Sequence, residues 1–126
     1  MGLGSKGSGP QCFDGPGDIT FGSDGLVYVS DRLNSRVCVW SREGSFQGDF
    51  PTTYAPACIA ATGDNHLLIA SYSYIVMVYT LKGQLVHEFG GRGSDPGRFN
   101  RPSGICVDES GAVYVADYGN RRVQVF

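Results

Sequence analysis

Charged side chains are scarce in this chain of 126 residues: Asp, Glu, Lys and Arg make up 17% of it, against about 25% in an ordinary soluble domain. The formal net charge is −2, so bulk electrostatics supply no general attraction to nucleic acid or to an anionic membrane. No apolar run approaches the ~20 residues that a membrane-spanning helix needs, and the N-terminus lacks the long apolar core of a secretory signal. The sequence reads as a soluble, cytoplasmic chain with no membrane partner. Histidine occurs only at His66 and His87, one beside a turn and the other in a separate strand. They cannot supply the three protein ligands that catalytic zinc normally takes, so neither a metal site nor another cofactor is expected. No serine stands in a G-x-S-x-G elbow and no His–Asp pair is placed to activate one, so no catalytic residue is assigned. Cys12, Cys38, Cys58 and Cys106 include no C-x-x-C pair. They read as buried thiols of a reducing compartment.

What the chain has instead is glycine and repetition. Glycine is 19 of 126 residues, about twice the usual ~7%, which implies many tight turns. Pro16, Pro56 and Pro102 stand in one register, followed by Ile19, Ile59 and Ile105, then by Tyr28-Val29, Leu68-Ile69 and Tyr114-Val115, at offsets of 40 and 46 residues. A period of that length, with short apolar runs between glycine-bearing turns, marks a β-propeller blade.

In each repeat the spacing predicts a first strand (18–21, 58–61, 104–107) and a turn at Gly25, Asn65 or Gly111. A second strand (26–30, 67–70, 113–116) and a third (37–40, 76–79, 123–126) follow. A fourth, less regular strand is predicted at 45–50 and 84–89 and is missing from the last repeat. The second strands are apolar on both faces, as stacking between neighbouring sheets requires. Residues 3–10 align without gaps on residues 89–96, and Phe13 falls on Phe99. The chain therefore divides into the end of a preceding blade with its connecting loop (1–13), a first blade (14–50), a second (51–89) and an incomplete third (90–126). Propellers close with ~4–8 blades, so three blades are part of a ring, and both ends look cut from something larger.

The segments Phe89-Gly90-Gly91-Arg92-Gly93, Phe99-Asn100-Arg101-Pro102-Ser103-Gly104-Ile105 and Tyr114-Val115-Ala116-Asp117-Tyr118-Gly119-Asn120-Arg121-Arg122-Val123-Gln124-Val125-Phe126 together resemble NHL repeats. The likeness is strongest to the NHL region of tripartite-motif proteins. The first repeat keeps Asp31, Asn34 and Arg36 of that pattern, whereas the middle one has Ser71 in the aspartate position and a second connecting loop one residue shorter. The resemblance implies an all-β, six-bladed propeller of which about three blades are present. It also implies that the first strands line a central channel, and that the chain is used for binding proteins or RNA, often as the recognition arm of a ubiquitin ligase. It extends, remotely, to metal-dependent propeller lyases.

Up-and-down blades place the loops between second and third strands on the same rim as the connections between blades. That rim collects Arg32, Arg36, Arg121 and Arg122 from the first kind of loop and Arg92, Arg98 and Arg101 from the second, with Lys6 beside them. Asp24, Asp64, Asp108 and Glu109 fall on the opposite rim. Arg32, Tyr72, Arg92, Arg98, Arg101, Tyr118 and Arg121 are the candidate binding residues, for a protein partner or for single-stranded RNA. Asp31, Asn34, Arg36, Asp117, Asn120 and Arg122 are assigned to turn structure. Blade faces and edges left without cover predict either pairing of two chains into a 3 + 3 ring or an unstable fragment.

Overall fold

The computed structural model describes residues 2–126 and is built from strands, with two single-turn 3-10 helices at Arg32–Asn34 and Tyr118–Asn120. A short parallel pair, β1 (Ser5–Lys6) and β2 (Cys12–Phe13), comes first. β3 (Pro16–Phe21), β4 (Val27–Asp31), β5 (Arg36–Trp40) and β6 (Phe46–Pro51) then form an antiparallel sheet in chain order. A second such sheet joins β7 (Pro56–Ala61), β8 (His66–Ser71), β9 (Ile75–Thr80) and β10 (Leu85–Gly90). The third has three strands, β11 (Pro102–Val107), β12 (Val113–Asp117) and β13 (Arg122–Val125). The innermost strands β3, β7 and β11 lie side by side across the sheets. The sheets are thus blades arranged about one axis in a propeller-type fold.

Side-chain alternation explains why the middle strands read as apolar throughout. Tyr28, Val37 and Val39 face the second sheet, where they meet Ile59, Leu67, Ile69, Met77 and Tyr79. Leu68, Ala70 and Val76, on the other face of the second sheet, meet Val115 of the third and Phe99 from the loop before it. Each blade is a wall between two cores, so both residue parities must be apolar.

Inner strands begin at Pro16, Pro56 and Pro102, two residues earlier than the apolar runs predict. Each proline sits opposite the last residue of its partner strand, Asp31, Ser71 or Asp117, and a register shift follows at once. Proline has no N–H to donate, so the first strand position is the one it can occupy, and the bulge behind it restores pairing. Gly25, Asn65 and Gly111 all have positive φ in the tight turns that follow.

The four cysteines are free. Burial pushes the thiols of Cys38 and Cys58 up to about 11, so neither is a thiolate at neutral pH. Cys106 departs from the expected burial: it is exposed, because it lies on the face of β11 that no further sheet covers. Among the described residues no helix is long and apolar enough to cross a membrane.

Candidate arginine-rich loop face

The rim between blades is organised by two copies of one polar cluster. Asp117, at the end of β12, is fully buried. Its Oδ1 accepts the Asn100 N–H at 2.8 Å, while Oδ2 accepts Asn120 Nδ2 at 2.9 Å and Arg122 Nε at 3.0 Å. Burial alone would raise this carboxyl, but those three donors hold it below its ordinary value. Arg122 then spends its outer nitrogens on the carbonyls of Ser94, Asp95 and Arg98, and Asn120 donates to Gly93 O. The first blade repeats the pattern. Asp31 accepts the Asp14 N–H, Asn34 Nδ2 and Arg36 Nε, and Arg36 reaches the carbonyls of Ser8, Gly9 and Cys12. Asn34 donates to Gly7 O. Arg36 and Arg122 are the opening residues of β5 and β13 rather than loop residues. In both blades the cluster grips the long connection that precedes the inner strand, satisfying carbonyls that no ladder reaches.

The second blade has neither the clamp nor the long loop. Its connection, residues 52–55, is short, where residues 91–101 precede the third blade. Ser71 stands in the aspartate position and its Oγ accepts only the N–H groups of Ser73 and Ile75. The same stretch supplies Tyr72 and Tyr74, which carry arginines from both neighbours. The Arg32 guanidinium of the first blade lies 4.9 Å from the Tyr72 ring centre and donates to its hydroxyl at 3.2 Å. Arg92, from the loop before the third blade, lies 5.7 Å from the Tyr74 ring centre, and Arg101 lies 5.3 Å from that of Tyr118. Such stacking is favourable within about 6 Å and leaves the arginine's outer edge available. Tyr74 was not apparent as a platform from the sequence. The signal was there in the Ser71-Tyr72-Ser73-Tyr74 stretch, which replaces clamp residues with hydroxyls and rings.

Charge on this face is not internally compensated. Among the described residues the arginines that meet a carboxylate are Arg36, on Asp31 and Asp49, and Arg122, on Asp117. Arg32, Arg92, Arg98, Arg101 and Arg121 meet none. Arg32 is half-buried, and the other four are exposed. Arg98 folds back to donate to Gly90 O at 2.9 Å, so its charge stays on the loop. Tyr72, Arg101 and Tyr118 rim a cleft of about 610 Å³ floored by the inner strands, at the loop end of the channel wall they form. That size falls within the range of ligand pockets.

The opposite rim is acidic but knitted. Asp24 accepts the Tyr28 hydroxyl and the Leu26 N–H; Asp64 accepts Thr62 Oγ1 and pairs with His66. Asp108 accepts from Ser110, Ala112 and Tyr114. Side-chain hydrogen bonds, from Thr62 and Ser110 foremost, hold Asp64 and Asp108 below the usual carboxylate range. Glu109 is exposed beside them. His66 opens β8 and His87 lies in β10; among the described residues no three His, Cys, Asp or Glu side chains converge.

Comparison with known proteins agrees with this architecture. The NHL repeat family model matches residues 13–40 and 99–126, the two segments that hold the clamp residues. The E3 ubiquitin-protein ligase TRIM71 of Rattus norvegicus is 30% identical over 115 residues, 86% of this chain and 12% of that protein. Its counterpart in Xenopus tropicalis is 53% identical over 38 residues, 30% of this chain and 5% of that protein. The chain thus spans a small part of these relatives. Virginiamycin B lyase from Staphylococcus aureus superposes with a TM-score of 0.66 at 18% identity over 88% of this chain and 40% of that one, a likeness of fold alone. With its clamp residues inside the matched segments and its blades set about one axis, the chain belongs to the NHL-repeat β-propeller family.

Proposed function

We propose that this chain is a non-catalytic recognition scaffold that binds a protein partner or substrate through its arginine-rich loop face, as the substrate-recognition part of a tripartite-motif ubiquitin ligase. One observation carries the reading: five arginines on one rim have no carboxylate partner among the described residues, and three of them rest on tyrosine rings. Arginine and tyrosine are the side chains that dominate binding energy at protein interfaces. The long loop that carries Arg92, Arg98 and Arg101 is clamped from behind, so little ordering entropy remains to be lost on binding. The test is comparative capture on the chain and on its Arg92→Glu/Arg98→Glu variant, followed by calorimetry with each purified partner. The expected result is a loss of affinity of about tenfold or more. A partner held equally by both chains would remove this face from the proposal.

Single-stranded RNA is the second reading, favoured by the exposed tyrosines beside arginines, on which bases can stack. It predicts binding that weakens steeply with salt, by roughly −0.7 log unit per log unit of salt for each phosphate contacted. Arg98→Glu/Arg101→Glu should then abolish it. No binding of mixed short RNAs at low salt would dispose of it.

A further inference from the structure

Arg101 occupies a backbone position that the first blade gives to glycine. Gly15 precedes Pro16 with φ +79, and Arg101 precedes Pro102 with φ +64. In both blades the carbonyl of this residue accepts an N–H from the turn after the second strand, Arg32 in one and Tyr118 in the other. Ala55, behind the short connection, accepts the same bond from Tyr72 without a positive φ, so the left-handed conformation goes with the long loop that Gly15 and Arg101 both end. Glycine adopts it freely, whereas Cβ makes it unfavourable, and the ring of the following proline crowds the residue further. Nothing in the chain recompenses the arginine with a polar contact: among the described residues its guanidinium makes neither hydrogen bond nor ion pair and rests on Tyr118. Strain of this kind gathers where a side chain is needed for binding.

The surroundings say what it is needed for. Arg101 stands on the rim of the cleft between Tyr72 and Tyr118, which are 53% and 66% exposed. The floor includes Gly17, Ala57 and Gly104, which leave room below. Asp18, also in the floor, has its oxygens engaged by the Ile19 and Ile59 N–H groups. A phosphate chain needs a track of cations. This cleft has Arg101 as the single cation among its lining residues, so it can match one negative group and not a chain of them. One carboxylate on a flexible stem suits the site better, since the guanidinium fork binds it by two parallel hydrogen bonds and the tyrosines flank its methylenes.

We infer that the cleft at the loop end of the channel wall is a specificity pocket for an Asp or Glu side chain of a partner peptide, anchored by Arg101. This rests on the reading that the loop face binds protein. Selection of a phage-displayed random dodecapeptide library on the full chain, followed by anisotropy with the labelled winners, tests it. Enriched peptides should share an acidic residue, and its change to the amide should weaken binding about tenfold or more. Arg101→Gly should cause a similar loss and make the chain indifferent to that change. Because glycine suits the backbone there, Arg101→Gly should leave the melting temperature unchanged or raise it, which a structural arginine would not. Peptides without an acidic residue, undiminished affinity of Arg101→Gly, or its lower melting temperature would each overturn the inference. If affinity depends on Arg92 and Arg98 but not on Arg101, the loop face survives as a protein-binding surface and the pocket does not. If a random pool of eight-nucleotide RNAs binds through Arg101 and no peptide is enriched, the site belongs to RNA and the inference fails.

Discussion

Asp117 is the residue on which the third blade's loop depends. It is buried, carries a charge, and accepts hydrogen bonds from four groups belonging to two segments. Asp117→Asn keeps the shape but removes the charge and sets an amide N–H₂ against donors. The expected cost is about 1–3 kcal/mol, measurable by denaturant unfolding. The pH dependence has a definite sign. The folded carboxyl lies below its unfolded value of about 3.9, so its stabilisation is complete above that value and is lost as pH falls through the folded pKa. Melting temperature should fall steeply below about pH 4, and Asp117→Asn should flatten that acid limb; an unchanged limb would deny the aspartate its role. Sequence could place Asp117, Asn120 and Arg122 in one turn. It could not reveal that Arg122 reaches carbonyls 24 to 28 residues back in the chain, since local pattern carries no information about that distance.

Among elements, the link between loop length and clamp is the feature that pattern reading exposes only in part. The offsets of 40 and 46 residues already say that the connections differ, and Ser71 already says that the clamp is broken in the middle blade. Only the fold shows these to be one fact: where residues 52–55 make a short connection, there are no loop carbonyls for an Asp–Arg pair to hold. Strand limits were less legible, because each inner strand opens on a proline that pairs across a bulge, and a bulge leaves no mark in the apolar pattern. The long loop also has a steric requirement that can be tested. Gly90 has φ +114, and a Cβ there would come within 2.8 Å of the Phe99 ring and of the Tyr74 carbonyl. Gly4 stands in the same relation to Phe13. Gly90→Ala should therefore destabilise by about 1–3 kcal/mol, from overpacking and backbone strain together, and thermal unfolding within 0.5 kcal/mol of the parent, about the spread of neutral surface changes, would contradict this.

Within one copy of the 126-residue chain two blade faces carry exposed apolar side chains. Val37 and Val39 are 0% and 9% exposed between the first and second blades, while their counterparts Val123 and Val125 on the third blade are 64% and 58% exposed. Ile59 is 3% exposed where the first blade covers it, and its counterpart Ile19 is 61% exposed. The uncovered face of the third blade thus has the residues of a surface that packs on a blade, and the uncovered face of the first has those of the surface it would pack against. Repetition in the sequence makes this complementarity readable, because counterparts are identified by register, although only burial shows which copies lack a neighbour. Two chains meeting twice in this way would form a 3 + 3 ring, and each valine buried would contribute about 1.5–3 kcal/mol at most. Light scattering on the 126-residue chain at micromolar concentration should accordingly give twice its mass of 13.5 kDa. Val123→Lys/Val125→Lys should return it to a single chain without unfolding it, because both side chains are already in solvent within one copy. A monodisperse single chain before substitution would show that these faces do not pair.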